Sequence, residues 1–271
     1  MAQILVEGGQ PTANLARAES AIRAAAAQGC RLVVLPECMD LGWTHPSARD
    51  LAQPIPGRFS LQLARLAQET GLFIVAGLVE RCRHQLFNAA VLIDPRGELL
   101  LLHRKINELD LAHDLYATGD RLAVAQTEIG TLAINICADN FPNSLAIGHV
   151  LARMGAQLLL SPSAWAVDAD HDNTSEPYGD LWSGAYRELG RLYDLPVIGV
   201  SNVGWLVEGP WQGRKVIGCS LATDRHGEVL AMGPYGDSAE ALIVVDVELR
   251  PIQVTGTQIA DDLAARGYLG H

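Results

Sequence analysis

Positively charged side chains are scarce in this sequence. Lys and Arg together number 20 against 31 Asp and Glu in 271 residues, which gives a formal net charge of −11. A surface with this balance repels phosphate backbones and anionic membranes, so nucleic acid and lipid surfaces are unfavourable partners. A small molecule or another protein chain is the expected partner.

Paired cysteines and long apolar runs are also missing. The five cysteines are odd in number and form no Cys-x-x-Cys pair, which argues against a disulfide framework and a structural zinc site and favours free thiols. The longest apolar stretch, GLFIVAGLV at 71–79, is far too short to span a bilayer, and the opening MAQILVEGG has no basic signal segment. We therefore expect a cytoplasmic protein without a membrane segment.

The sequence has no internal repeat and no low-complexity tract, and 49% of its residues are hydrophobic. This composition is typical of a globular protein, and layered α/β folds of this length commonly form one unit with a large core. We predict a single domain over 1–271, in which the weakly patterned segment 251–271 is a possible C-terminal arm.

Amphipathic helices alternate with apolar strands. Helical spacing over 12–28 precedes the strand in RLVVLPE, and the same order recurs near 60–79, 143–161 and 180–201. Two stretches predict antiparallel hairpins, with turns at Pro-Arg-Gly in AAVLIDPRGELLLLH and at Arg-His-Gly in CSLATDRHGEVLAMG. A last strand is predicted in ALIVVDV at 241–247. These elements predict α/β layering, with stacked sheets covered by helices.

Three residues that can carry chemistry each follow an apolar strand. Cys137 follows TLAINI and precedes a helix start near Pro142, whose free N–H groups would favour a thiolate; a buried, inert thiol is the simpler alternative. Glu37 ends LVVLP and is either a general base against apolar surface or a solvated glutamate. Lys105 ends ELLLLHR and is either a rim charge or an oxyanion-stabilising group. Because strand ends of an α/β layer meet at one rim, together they predict an acyl-transfer site.

The segments LVVLPE, HRKIN and LAINICADNFP, in this order and at these separations, resemble the three signature segments of the nitrilase superfamily of carbon-nitrogen hydrolases. The resemblance covers nearly the whole chain, including GLFIVAGLVE, FNAAVLIDPRGE, MGAQLLLSPSAW, PVIGVSNVG and GCSLATDRHGEVLA. It implies a four-layer α-β-β-α sandwich and no metal or organic cofactor. It also implies a homodimer, or a larger assembly, that pairs subunits across the helix following the cysteine.

The resemblance further implies a Glu-Lys-Cys triad. Cys137 would attack an amide carbonyl or nitrile carbon, and Glu37 would accept its proton and later activate water. Lys105 and the backbone N–H of Ala138 would hold the oxyanion. Asn140 is a further expected oxyanion or substrate contact, as is Trp165.

The chain departs from the family pattern in three places. Many members carry a second glutamate shortly before a Gly-Asp pair, for which NELDLAHDLYATGD offers Glu108, His113 or Asp114; Asp114 is preferred by its distance from Gly119. The segment after the cysteine has neither the Trp-Glu pair of true nitrilases nor the arginine of many carbamoyl amino acid hydrolases, which argues against anchoring a substrate carboxylate there. The family's first strand usually begins several residues before the position of MAQILVEGG, so a short edge strand is expected.

Substrate clues come from DADHDNTSEPYGDLW at 168–182, where family members place a loop over the pocket. One interpretation is that its five acidic residues attract a cationic amide or ureido compound. The alternative, which fits an acidic protein at least as well, is that these residues only keep the loop solvated. Trp165 and Trp182 would either line the pocket or belong to the core.

These features predict hydrolysis of a linear C–N bond in a small amide, through a thioester on Cys137, with release of ammonia or an amine. A carbamoyl (ureido) amidohydrolase is the nearest alternative, followed by a nitrilase. Two alternatives of other classes are a metal-dependent phosphoesterase, which the eight scattered His residues do not favour, and an inactive interaction protein on a similar sandwich.

Overall fold

Helices and strands alternate through most of the computed structural model, which describes residues 1–251 and 256–268. The helices are α1 (Pro11–Ala27), α2 (Ala48–Leu51), α3 (Arg58–Thr70), α4 (Ala146–Arg153), α5 (Asp180–Tyr193) and α6 (Ile259–Ala265), with 3₁₀ helices at Asp110–Ala112, Cys137–Asn140, Pro142–Ser144 and Gly256–Gln258. The strands are β1 (Ala2–Gln3), β2 (Leu32–Val34), β3 (Phe73–Cys82), β4 (Gln85–Ile93), β5 (Leu99–Arg104), β6 (Val124–Thr127), β7 (Gly130–Ile134), β8 (Leu158–Ser163), β9 (Ala166–Val167), β10 (Val197–Ser201), β11 (Val203–Trp205), β12 (Lys215–Ile217), β13 (Leu221–Thr223), β14 (Val229–Met232) and β15 (Ala241–Leu242). No helix within the described ranges is both long enough and apolar enough to cross a bilayer.

Two large sheets organise the chain. The first has the strand order β2-β3-β4-β5 and the second the order β14-β13-β10-β8-β7-β6. Strands that are separated by a helix pair in parallel, as β2 does with β3 and β8 does with β7 and β10. The predicted hairpins β4–β5 and β13–β14 supply antiparallel strands to these sheets. The mixture of both pairings follows directly from the two kinds of sequence pattern.

Side chains that alternate along β3 determine the layers. Phe73 and Val75 pack between the sheets with residues of β7 and β8, whereas Ile74 and Ala76 pack under α1 and α3. On the far side of the second sheet, α4 and α5 complete the core. The order is helix, sheet, sheet, helix, so the predicted four-layer α-β-β-α sandwich is confirmed.

The strand predicted at 241–247 is much shorter than expected. Regular pairing covers only Ala241–Leu242, which lie against the two-residue strand β1. Two further bonds join Ile243 and Met1, since the Ile243 N–H donates to the Met1 carbonyl and the Met1 amino group donates to the Ile243 carbonyl. From 243 to 250 the residues still alternate between partly buried and exposed. Alternation of buried and exposed side chains requires only that one face of the segment is buried. A strand also needs a hydrogen-bonded neighbour, so the sequence pattern overestimates the length of this strand.

The predicted C-terminal arm packs against its own chain where it is described. Residues 252–255 and 269–271 lie outside the described residues. In α6 the Leu263 side chain is 1% exposed, and the following Arg266 pairs with Asp194 at 2.9 Å. The Tyr268 ring lies 5.0 Å from that of His149 on α4. This part of the segment therefore covers the α4–α5 layer.

Candidate active site

Glu37, Lys105 and Cys137 lie together in a buried cluster where β2, β5 and β7 end. The Lys105 Nζ is 2.7 Å from the Glu37 Oε1, and both residues are only 1% exposed. Cys137 is 9% exposed. A carboxylate, an ammonium and a thiol are thus held where water has little access, and electrostatic interactions are stronger there than in solvent.

The Glu37 backbone lies directly against strand β3. A Cβ atom on Gly77 would lie 2.5 Å from the Glu37 Cα, so only glycine permits this approach. The Gly77 N–H donates to the Pro36 carbonyl, and the Glu37 N–H donates to Ser163 at the end of β8. Glu37 is therefore anchored to both sheets through its backbone.

Lys105 retains its positive charge despite being buried. Burial alone would lower its pKa, but the neighbouring Glu108 and Glu37 carboxyl groups outweigh that effect and raise the pKa well above the usual lysine value. The ammonium is therefore available as a fixed positive charge beside the thiol.

Glu108, rather than Asp114, lies beside Lys105. Its Oε2 is 3.7 Å from the Lys105 Nζ, and neither carboxyl oxygen has a hydrogen-bond partner among the described residues. Burial raises the Glu108 pKa to about 7, with Lys105 acting in the opposite direction. Asp114 and His113 are both exposed, and Asp114 contributes only its backbone carbonyl to Arg49. The structure thus does not bring the preferred second acid to the cluster and places Glu108 there instead.

Cys137 occupies a left-handed backbone conformation with φ of 45°. Such a conformation is unfavourable for a non-glycine residue and is found most often at functional sites. A four-residue 3₁₀ turn begins at Cys137 itself, and the helix start predicted near Pro142 is a second 3₁₀ turn, Pro142–Ser144, that precedes α4. Burial raises the thiol pKa, Glu37 raises it further, and Lys105 and the Ala164 N–H act in the opposite direction. The thiol is therefore protonated at rest and needs a base to ionise it.

Asp139 connects the Cys137 turn to the segment that follows Lys105. Its buried carboxylate accepts four hydrogen bonds, from the backbone N–H groups of Ile106, Asn107 and Ile136 and from His103 Nε2, at 2.8 to 3.1 Å. Burial raises the Asp139 pKa, but these donors outweigh it and lower the pKa below the usual value. We call Asp139 with these four donors the Asp139 clamp. The sequence analysis did not predict it, because most of the donors are backbone groups that no motif identifies.

Asn140 has a supporting position. Its amide exchanges two hydrogen bonds with Asn135, at 2.6 and 3.0 Å, and donates to the Ser161 Oγ at 2.9 Å. The same Ser161 Oγ accepts the Cys137 backbone N–H. Ala138, the next residue, is 1% exposed, and its N–H belongs to the first turn of the 3₁₀ helix, where N–H groups lack partners within the helix. The Asn140 side chain is thus engaged by protein groups, whereas the Ala138 N–H remains a candidate oxyanion donor.

Aromatic side chains form one wall beside the thiol. Trp165 stacks on Trp182 with ring centroids 4.9 Å apart, and Trp182 donates its indole N–H to the Tyr178 hydroxyl at 2.9 Å. Both tryptophans are buried, and Cys137 belongs to the same apolar cluster, against which Tyr178 and Phe141 pack. Burial thus supports the core interpretation of the two tryptophans, and the core cluster to which they belong also contains Cys137.

The acidic loop directs its charges to solvent. Asp168 pairs with Arg214 at 2.9 Å, and Asp172 accepts the Thr174 N–H within the loop. All five acidic residues are exposed, namely Asp168, Asp170, Asp172, Glu176 and Asp180. His171 and Tyr178 turn inward instead, the first against Tyr235 and the second against Trp165. This placement favours the solvated-loop interpretation over attraction of a cationic substrate.

The site is enclosed rather than part of a wide cleft. Clefts of about 580 and 470 Å³ open elsewhere on the surface, the larger against 243–247 and the smaller against Gly204 and Trp205. Neither is lined by Glu37, Lys105 or Cys137. The described residues also contain no group of three or more His, Cys, Asp or Glu side chains arranged to hold a metal ion.

Comparison with known proteins relates this geometry to a family. The chain matches the carbon-nitrogen hydrolase family over residues 2–256. It is 30% identical over 247 residues to a nitrilase of Pyrococcus abyssi, which covers 89% of this chain and 85% of that protein. It is 32% identical over 261 residues to omega-amidase NIT2 of Mus musculus, covering 91% and 87% of the two chains.

Solved structures share the fold. A carbon-nitrogen hydrolase from Helicobacter pylori superposes with a TM-score of 0.79 at 22% identity, over 91% of this chain and 87% of that one. A mutant of an amidase from Nesterenkonia sp., which carries acrylamide added at its active-site cysteine, gives a TM-score of 0.74 at 22% identity, over 91% of each chain. The family match and the two curated relatives span most of the sequence, and the chain is therefore an enzyme of the carbon-nitrogen hydrolase family.

Proposed function

We propose that this enzyme hydrolyses the C–N bond of a small linear amide through a thioester on Cys137. The observation that carries the proposal is the buried Lys105–Glu37 pair, at 2.7 Å, beside a protonated thiol. A base, a fixed cation and a nucleophile are the three groups that acyl transfer requires.

In the first half-reaction Glu37 takes the thiol proton as sulfur forms a bond to the carbonyl carbon. The carbonyl oxygen becomes an oxyanion, which Lys105 and the Ala138 N–H stabilise. Collapse of this intermediate breaks the C–N bond, and the protonated Glu37 gives its proton to the leaving nitrogen. Ammonia or an amine departs, and the acyl group remains on sulfur.

In the second half-reaction Glu37 accepts a proton from water, and the resulting hydroxide attacks the thioester carbon. The same donors hold the second oxyanion. Breakage of the C–S bond releases a carboxylic acid, and the thiolate recovers its proton from Glu37. The cycle balances with one water consumed, and Glu37 handles each proton transfer in it.

The substrate we propose is small and uncharged near the reacting carbon. Trp165, Trp182 and Tyr178 provide an apolar wall, and a cysteine that is 9% exposed leaves little room for a bulky acyl group. An amide fits the names of the omega-amidase and amidase relatives. A carbamoyl compound and a nitrile are the alternatives, and the nitrilase relative favours the second of them.

We further propose that the whole chain forms one domain and that two copies pair through α4. Val150 on this helix and Met154, the residue that follows its end, lie one turn apart and are 44% and 43% exposed, so they place two large apolar side chains together on the surface. All five cysteines are free, which suits a reducing cytoplasm. Sedimentation velocity on Val150→Glu against the parent protein tests the pairing.

The test of the reaction is ammonia release from a panel of small primary amides, carbamoyl compounds and nitriles. Cys137→Ala is compared with the parent protein and with Cys82→Ala, which removes a partly exposed thiol at the far end of β3. Release that disappears only in Cys137→Ala supports the mechanism, and the active panel members identify the leaving group. Full activity in Cys137→Ala contradicts it.

A further inference from the structure

We infer that Asn88 is a positioning residue that keeps the Glu37 carboxyl group oriented for the thiol, and that the Cys38 thiol fixes the orientation of the Asn88 amide. The inference rests on the proposed role of Glu37 as the base. It concerns two residues that lie outside the triad and that none of the sequence motifs identified.

Asn88 holds both charged members of the cluster. It lies in β4 and is fully buried. Its side-chain Nδ2 donates to the Glu37 Oε1 at 2.6 Å, and its backbone carbonyl accepts the Lys105 N–H at 2.8 Å. The Lys105 Nζ donates to the same Oε1 at 2.7 Å. Two donors thus converge on one carboxylate oxygen and leave the other for the proton of the thiol.

Cys38 determines which end of the amide faces Glu37. Its thiol donates to the Asn88 Oδ1 at 3.4 Å and lies 3.8 Å from the Tyr116 hydroxyl. Burial and the neighbouring carboxyl groups raise the Cys38 pKa well above its usual value, so the group is a thiol and a donor at neutral pH. With Oδ1 facing this donor, the amide nitrogen faces the carboxylate. An amide nitrogen only donates, and donation to a carboxylate favours its ionised form.

The polar atoms of Asn88 serve only this cluster. A buried amide in a strand is unfavourable unless its hydrogen bonds are made, and those of Asn88 go to Glu37 and Cys38. Asn14, equally buried, instead bonds to the backbone of Glu7 and Asp40. Asn14 is therefore a matched structural control.

A change in the charge of Glu37 also affects the titratable groups that face it. These groups are Lys105 and Glu108 after β5, Cys137 on the 3₁₀ turn, and Cys38, with Tyr116 behind it.

The experiment measures alkylation of Cys137 by iodoacetamide as a function of pH, with the rate read at the Cys137 peptide by mass spectrometry. In Asn88→Asp the donor to Glu37 becomes a carboxylate, so a like charge faces the Glu37 carboxyl group. We expect the acid limb of the rate profile to move up by about one pH unit, which lowers the rate by up to about tenfold at pH values below the limb. Asn14→Asp is expected to leave the limb in place, even if it lowers the unfolding temperature. A limb in Asn88→Asp that superposes on that of the parent overturns the inference.

A second pair of variants covers the case in which Asn88→Asp does not fold. Cys38→Ala removes the donor to the amide, and Cys38→Ser replaces it with a hydroxyl donor. We expect about a tenfold loss in the rate on the acid limb for alanine and near-parent behaviour for serine. Equal rates for the two contradict the inference. Amide hydrolysis that is undiminished in Cys137→Ala would instead contradict the proposed function, so the two failures are distinct.

Discussion

Two buried carboxyl groups in the cluster, Asp139 and Glu108, differ in charge although both are shielded from water. Asp139 accepts four hydrogen bonds and has a lowered pKa, whereas Glu108 accepts none from the described residues and has a pKa raised to about 7. Burial raises the pKa of both. The number of donors, rather than depth, decides which of them is ionised.

The difference in hydrogen bonding also suits the two carboxyl groups to different roles. Three of the donors to Asp139 are backbone N–H groups, so its charge is tied to the path of the chain on either side of the site. Around Glu108 the Lys105 ammonium, 3.7 Å away, favours the charged form, whereas the Glu37 and Asp139 carboxyl groups favour the protonated form. Glu108 can gain or lose a proton near neutral pH without breaking a hydrogen bond. One carboxylate is therefore suited to hold the site together and the other to respond to the charge of its neighbours.

Removal of the clamp should have the largest effect. Asp139→Ala leaves three backbone N–H groups and His103 without their acceptor, which costs about 3–5 kcal/mol of unfolding free energy. Displacement of the Cys137 turn from Lys105 should lower kcat/KM at least about a hundredfold. Urea unfolding and amide hydrolysis measure the two effects. Asp172→Ala, which removes an exposed carboxylate with donors of its own, should leave both unchanged; an equal loss there would mean that the clamp is not special.

Neutralisation of Glu108 should affect activity more than stability. In Glu108→Gln the group that titrates near pH 7 is gone, so the corresponding inflection in the pH profile of kcat/KM should disappear. Loss of its influence on Lys105 should lower kcat by about a hundredfold, within the range seen for acid–base groups. Steady-state kinetics across pH measure both. A variant that keeps the inflection would assign it to another group, and Glu108 would then be only a packing residue.

The two carboxyl groups should also give opposite dependence of stability on pH. The folded pKa of Glu108, about 7, lies above its ordinary 4.5, so its effect on the free energy of unfolding becomes less favourable as pH rises between these values, by up to about 3 kcal/mol. The folded pKa of Asp139 is depressed, so its stabilisation is present above 3.8 and is lost as pH falls through the folded value. Urea unfolding at about pH 5 and about pH 8 should show a smaller difference in Glu108→Gln than in the parent. Identical differences would contradict the assigned pKa.

The sequence predicts strand ends better than it predicts what supports them. Glu37, Lys105 and Cys137 were found because each follows an apolar run, and runs of that kind locate strand ends. Asn88 and Asp139 were not found, because their side-chain partners lie 36 to 51 residues away along the chain and the other partners of the Asp139 carboxylate are backbone groups. Long-range contacts of this kind leave no periodicity. The strand at 241–247 was overestimated for the related reason that alternation does not report a pairing partner.

The second acid shows the same limit and provides the smallest predicted effect. Distance from Gly119 favoured Asp114, but the 3₁₀ turn Asp110–Ala112 carries the chain outward after Glu108 and leaves Asp114 exposed. Glu108 is instead three residues from Lys105, a spacing that brings side chains together in a turn. Asp114→Asn should therefore keep kcat/KM within about twofold of the parent, with unchanged pH dependence. Asp114→Asn and Glu108→Gln each remove one carboxylate from the same loop. A comparable loss of activity in both variants would therefore show that the charge of the loop controls the reaction, and not the position of Glu108 beside Lys105.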